Sequence, residues 1–329
     1  MDAVHIPAWP RIGLGCATLG TPAPLLGDAA AEAVMRAAID HGIRLFDVAP
    51  LYGGGVAEER LGRVLKRLPR DQYVLCTKTG VTRPYAQTAQ PPGAARRRAF
   101  DHWDYSAAAT RASVAASLAR LQVARLDVVH LHDVDLHVDE CLAARDELAV
   151  MQREGIVGAI GIGSNLVEPV ATLLGRARFD TFLLAGCYTL LDQRGSALFV
   201  QAQSQGVRVI AGGVFNSGVL AKWPNPDATF GYVPAGEDVR ARTARIAAVC
   251  ARHGVPLGVA ALQFVLANSA ITSVLIGPRT VAELEANLAA LHTTVPDALW
   301  DALVHEGLVA AGVRSPRDAT PAPGRAVSA

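Results

Sequence analysis

The chain has 329 residues, of which 51% are hydrophobic and 19% charged, and its formal net charge is +1 at pH 7. That balance excludes a disordered chain and gives no long-range attraction to nucleic acid or an anionic membrane. Its five cysteines are scattered and form no C-x-x-C pair, so buried free thiols are expected rather than a disulfide framework or a structural zinc site.

From the N-terminus, Met1 to Pro10 carries no basic segment followed by an apolar core, and no uninterrupted apolar run reaches the length of about 18 residues that a membrane span needs. A cytoplasmic protein is the expectation. Apolar, β-branched runs then recur near residues 12–17, 44–48, 73–77, 126–131, 159–163, 181–186, 207–211 and 272–276. Helical patterns lie between them, including 29–41 before Gly42, 110–121, 139–154 before Gly155 and 238–253 before Gly254. Glycine suits a helix C-terminus because the left-handed conformation costs it little. Pro256 is placed to open the next helix.

Alternating strands and helices predict the α/β class with a parallel sheet, and eight such units are the count of a (β/α)8 TIM barrel. The expected organisation is a single domain over 1–314, followed by a poorly ordered tail over 315–329 that contains Pro316, Pro321 and Pro323. Two connections are long, 81–105 after the third strand and 222–237 after the seventh, so both should overhang the active-site face and shape a substrate pocket. The arginine run at 96–98 reads as a solvated loop.

Four residues sit at or just beyond the ends of three successive strands: Asp47 and Tyr52 in FDVAPLYG, Lys78 in VLCTKTG and His132 in VVHLHD. Strand ends on one barrel face would bring them together. A free tyrosine, with a pKa of about 10, is a poor base near neutrality. A neighbouring Lys78 ammonium would favour the phenolate of Tyr52, Asp47 would hold Lys78 charged, and His132 would orient the substrate oxygen.

These motifs, with LGCATLG, DHGIRLFDVAPLYGGGVAEERLG, SLARLQVARLDVVHLHD, IGIGSN and IGPRTVAELEANL, resemble the aldo-keto reductase family over roughly residues 11–308. The resemblance implies a (β/α)8 barrel, a nicotinamide cofactor and an Asp-Tyr-Lys-His tetrad matching Asp47, Tyr52, Lys78 and His132. FDHWDYSAAATRASVAASLARL, YTLLDQ and GGVFNSGVLA are similar to the NAD-linked aldose (L-fucose or D-threo-aldose) 1-dehydrogenase branch. The implied reaction oxidises an aldose at C1 to a lactone. Pyridoxal 4-dehydrogenase and a general carbonyl reductase remain alternatives within the resemblance.

The same resemblance implies cofactor contacts. Ser164 and Asn165 would face the nicotinamide carboxamide, Gly277 and Arg279 the pyrophosphate, and Asn287 the adenine. Relatives that use NADP commonly carry arginine where Glu283 stands, and a carboxylate there would repel a 2′-phosphate, so NAD is favoured over NADP. Ala185 and Gly212 replace the family's usual glutamine and stacking aromatic, which leaves Phe215, Asn216 or Ser217 to supply the local cofactor wall. Cys187 and Tyr188 are candidates for the same region.

Two readings of other classes stay open. His130-x-His132-Asp133 puts two imidazoles on one side of a strand, as in a metal-dependent barrel hydrolase, although His102 and His137 end no other strand and the expected metal set is none. A non-catalytic barrel that holds a nicotinamide cofactor as a redox sensor is the other. The expected partner is a small molecule, most simply a sugar. The sequence says nothing of oligomeric state.

Overall fold

The computed structural model describes residues 9–20, 26–81, 103–231 and 233–313. Its eight parallel strands close into one barrel: β1 (Ile12–Gly15), β2 (Leu45–Asp47), β3 (Val74–Thr79), β4 (Leu126–His132), β5 (Val157–Ser164), β6 (Thr181–Ala185), β7 (Arg208–Gly212) and β8 (Ile271–Ile276). Neighbours in sequence are neighbours in the sheet, and β1 closes on β8 through Ile12 opposite Val274 and Gly13 opposite Leu275. The expected fold class is the observed one.

These strands are apolar along most of their length because both faces are covered. Leu45, Val74, Cys76, Val128, Ala159, Leu183, Ile210 and Leu275 fill the barrel interior, while Phe46, Leu75, Val129, Ile160 and Phe182 belong to the outer core that includes helix residues. Trp9 packs against the interior cluster and lies under the Arg208 guanidinium, 5.2 Å from the ring centroid. The strand period of two then decides where the reactive residues go. Leu45, Cys76 and Val128 point inward, so Asp47, Lys78, His130 and His132 do too.

Helices α1 (Asp28–Asp40), α2 (Val56–Leu65), α3 (Ala107–Leu121), α4 (Cys141–Arg153), α5 (Val167–Arg176), α6 (Ser196–Ser204), α7 (Glu237–Arg252), α8 (Leu257–Ala267), α9 (Val281–Leu291) and α10 (Asp297–His305) complete the units. Gly42, Gly155 and Gly254, each past a helix end, have φ of 82°, 78° and 67°, as their positions require.

Several expected boundaries need correction. Helix α3 begins three residues before 110, because the Ser106 side chain caps it by accepting from the Ala109 N–H. Pro256 stands at the N-cap of α8, one residue outside it. The 222–237 connection contains a small antiparallel hairpin that pairs Thr229 with Pro234 and Phe230 with Val233. The ends of the 81–105 connection are joined by a bridge between Val81 and Trp103. Residues 82–102, with the arginine run and His102, and the tail at 315–329 lie outside the described residues.

All five cysteines are buried and unpaired. No single helix among the described residues is long and apolar enough to cross a membrane.

Candidate active site

Asp47, Lys78 and His132 end β2, β3 and β4 or stand one residue from the end, at the C-terminal mouth of the barrel. The Lys78 ammonium donates to both Asp47 carboxylate oxygens, at 2.9 and 2.7 Å, and to the Val48 carbonyl at 2.9 Å. Burial pushes the Asp47 carboxyl up and Lys78 opposes it. Burial also works against the Lys78 charge, but Asp47 and a hydrogen bond with Tyr52 outweigh it and raise the lysine pKa. With three acceptors around the ammonium, the charged pair is the state this geometry favours.

Tyr52 begins a one-turn 3-10 helix, Tyr52–Gly55, held by left-handed glycines. Gly53 has φ of 66°, and a Cβ there would meet the Gly20 carbonyl oxygen at 2.0 Å; a Cβ on Gly20 would meet the Tyr52 backbone at 2.7 Å. Two glycines thus allow the backbone approach that places Tyr52. Lys78 Nζ lies 4.8 Å from the Tyr52 ring centroid, and the Tyr52 and His132 rings meet edge to face at 5.8 Å. The structure therefore brings all four expected residues together.

The mouth is asymmetric. Charged and aromatic groups occupy the β2, β3 and β4 side, whereas β6, β7 and β1 end or nearly end in Ala185, Gly212 and Gly15, and Gly277 follows β8. A Cβ on Gly277 would meet only the Gly15 carbonyl within 4 Å, at 3.7 Å. That side therefore presents small side chains and backbone, where the other presents charged and aromatic groups. At its edge Asn216, with φ of 45°, donates from Nδ2 to the Gly186 carbonyl at 3.1 Å while its buried Oδ1 has no partner. A buried amide oxygen left in this way calls for a donor from a ligand or water. The chemistry fits a nicotinamide cofactor.

Phe215 is partly buried against the core, and the Ser217 carbonyl accepts from Thr229 Oγ1 at 3.0 Å. Ser164 is buried, its Oγ bonded to Asp135 and the Leu166 carbonyl. Asn165 Nδ2 donates to Asp133 Oδ1 at 3.0 Å and Asp135 Oδ2 at 3.4 Å. Cys187 Sγ meets the Asn165 carbonyl at 3.1 Å, and Tyr188 stacks on Phe264 at 5.3 Å, within the core.

On the β8 side, Thr280 caps α9 by accepting from the Glu283 N–H at 3.1 Å, and Glu283 accepts from the Arg279 backbone N–H at 2.8 Å. Arg279 thus stands just before a helix N-terminus, and Asn287 lies one turn beyond Glu283. Lys222 pairs with Glu283 at 2.7 Å. Burial pushes the Glu283 carboxyl up, but Lys222 and Arg279 outweigh this and hold it below the usual carboxylate range.

The sequence reading gave four contributors no part in this site, Asp133 having been named only in the metal-site alternative. Asp133 and Asp135 lie in a turn that no spacing marks. Lys222 reaches Glu283 from another connection. Tyr105 donates to the His132 carbonyl at 2.6 Å, and its ring fills the space that a Cβ on Gly80 would enter at 2.1 Å. The Thr280-x-x-Glu283 spacing was a legible signal, since it is that of a capping box. His130 is wholly buried below His132, and among the described residues no three His, Cys, Asp or Glu side chains form a metal-binding group.

The profile of the Aldo/keto reductase family matches residues 11–305. D-threo-aldose 1-dehydrogenase of Pseudomonas sp is 37% identical over 92% of this chain and 95% of its own length. Pyridoxal 4-dehydrogenase of Microbacterium luteolum is 33% identical over 91% and 94%. Among solved structures, the holo form of an aldo-keto reductase from Bacillus halodurans superposes with a TM-score of 0.72 at 26% identity, covering 94% of this chain and 95% of the other.

Proposed function

The chain belongs to the aldo/keto reductase family and is an oxidoreductase interconverting CH–OH and carbonyl groups with a nicotinamide cofactor; from that premise we propose that it oxidises an aldose at C1 to the lactone, using NAD. Lys78 carries this reading, because one ammonium hydrogen-bonds both Asp47 and Tyr52 at the barrel mouth. Lys78 stabilises the Tyr52 phenolate, and Asp47 keeps Lys78 charged and in place. The phenolate oxygen takes the proton of the anomeric hydroxyl. His132, edge to face with the Tyr52 ring, orients that hydroxyl.

Bound NAD would accept the hydride from C1. The residues proposed to hold it are Asn165, with Ser164 behind it, and Phe215, Asn216 and Ser217 beside the nicotinamide. Gly277 and Arg279 are proposed at the pyrophosphate, Glu283 at the adenosine ribose and Asn287 at the adenine. A phosphate at the α9 N-terminus gains from the backbone N–H groups and the Arg279 charge.

The choice of aldose rests on the Pseudomonas relative. Pyridoxal is the second reading, favoured by the Microbacterium relative and by the partly exposed Trp103, whose ring lies 4.8 Å from His137 and which packs against the same Ala49, Leu51 and Val81 cluster as Tyr52. The five unpaired thiols support a reducing, cytoplasmic location as part of the proposal. A panel of aldoses and pyridoxal with NAD or NADP, followed by reduced-cofactor absorbance, tests it. The expected result is fastest turnover with an aldose and NAD. Turnover with pyridoxal alone would replace the aldose reading, and activity with NADP only would reject the cofactor choice.

A further inference from the structure

Asn165 ends a chain of hydrogen bonds that begins in the turn after β4. Asp133 adopts the left-handed conformation, φ 50° and ψ 50°, unusual for a residue with a side chain. Both acids of the turn meet β5 and the residue after it. Asp135 Oδ1 accepts from Ser164 Oγ and, at 3.2 Å, from the Asn165 backbone N–H. Asp133 Oδ1 and Asp135 Oδ2 accept from the Asn165 side-chain nitrogen.

These bonds determine which way the amide faces. A carboxylate only accepts, so the NH2 end of Asn165 turns toward the two acids and both of its N–H groups have an acceptor. The carbonyl end is left for a ligand. Asn165 then offers an acceptor and no donor. Asp133 Oδ1 also lies 3.9 Å from His132 Nε2, so the same carboxylate stands beside a member of the tetrad. Burial raises the Asp135 pKa, opposed by Ser164 and reinforced by Asp133.

We infer that Asp133 and Asp135 are positioning residues that present Asn165 Oδ1 as an acceptor-only contact, selecting a cofactor whose nicotinamide side chain carries an N–H donor. This rests on the reading of Asn165 as a cofactor contact. A merely structural role would brace the turn and leave ligand chemistry untouched. With asparagine in place of the acids, the neighbouring amides offer donors as well as acceptors, and Asn165 is free to invert.

The test compares three ligands by titration calorimetry with the full chain. NAD has the carboxamide, the 3-acetylpyridine analogue of NAD replaces it with an acetyl group that has no N–H, and ADP-ribose lacks the ring altogether. Wild-type protein should bind NAD about tenfold tighter than the analogue, the scale of one hydrogen bond. The Asp133→Asn, Asp135→Asn double variant should lose about tenfold in NAD affinity, keep ADP-ribose affinity within about twofold, and lose its preference for NAD over the analogue. If the double variant fails to fold, the Asp133→Asn single variant should shift the preference in the same direction. An unchanged NAD-to-analogue ratio, or equal losses for NAD and ADP-ribose, overturns the inference. Wild-type protein that binds ADP-ribose and NAD without preferring NAD over the analogue rejects the positioning role alone; failure to bind NAD or ADP-ribose rejects the cofactor reading beneath it as well.

Discussion

The Lys78 ammonium lies 2.9 and 2.7 Å from the two carboxylate oxygens of Asp47, and both side chains are buried at the ends of adjacent strands. Neither charge is tolerable there without the other. Removing one partner of a buried pair leaves an uncompensated charge, at a cost of about 3 to 5 kcal/mol. Lys78→Met and Asp47→Asn should therefore each lower unfolding free energy by about 3 kcal/mol, while the double variant should lose less than the sum. Denaturant unfolding checks this, and additive losses would count against the coupling. Activity should not recover with stability, because the double variant still lacks the ammonium beside Tyr52. In Lys78→Met, any residual oxidation should need more alkaline solution, since nothing then favours the phenolate.

His130 couples stability to acid. Burial, with Lys78 and His132 nearby, lowers its pKa well below 6.5. Below pH 6.5 the unfolded chain takes up a proton that the folded imidazole refuses, so stability falls as pH drops. This contribution is fully present above pH 6.5 and is lost progressively as the pH falls below it. His130→Leu should flatten the acid side of the stability profile in parallel denaturant titrations. An unchanged acid slope would show that His130 is not its source.

Much of the site was legible because it obeys the strand period. Asp47, Lys78 and His132 stand two residues beyond inward-facing Leu45, Cys76 and His130, so locating the strands aimed the side chains. Tyr52 lies five residues past the end of β2 and was legible through the family motif, whereas the left-handed turn at Gly53 to Gly55 that places it was not read from the sequence. The turn at Asp133 was hidden, because a left-handed residue with a side chain leaves no mark in composition. The Lys222 to Glu283 pair joins the connection after β7 to the first turn of α9, and no periodicity links them. The start of α3 was misplaced because its alanine-rich first turn has little amphipathic contrast, and the Ser106 cap alone marks it.

Cofactor preference should depend on Lys222 as well as Glu283. Their ion pair puts a cation on the carboxylate expected to repel a 2′-phosphate. Lys222→Ala should therefore sharpen the preference for NAD, with the KM for NADP rising about threefold or more and that for NAD nearly constant, as for an exposed pair worth under about 1 kcal/mol. Glu283→Gln should move the ratio the other way. Initial rates with both cofactors decide it, and equal changes in both KM values would remove these residues from the choice.

The central claim is that Tyr52 exchanges the proton while the rest of the site holds the reactants. The direct measurement compares wild type with Tyr52→Phe, reading NAD affinity by calorimetry and aldose oxidation by reduced-cofactor absorbance on the same preparations. Tyr52→Phe should keep NAD affinity within about twofold and lose at least about a hundredfold in kcat, the lower range for general acid–base catalysis. Oxidation at the wild-type rate by Tyr52→Phe would contradict the account.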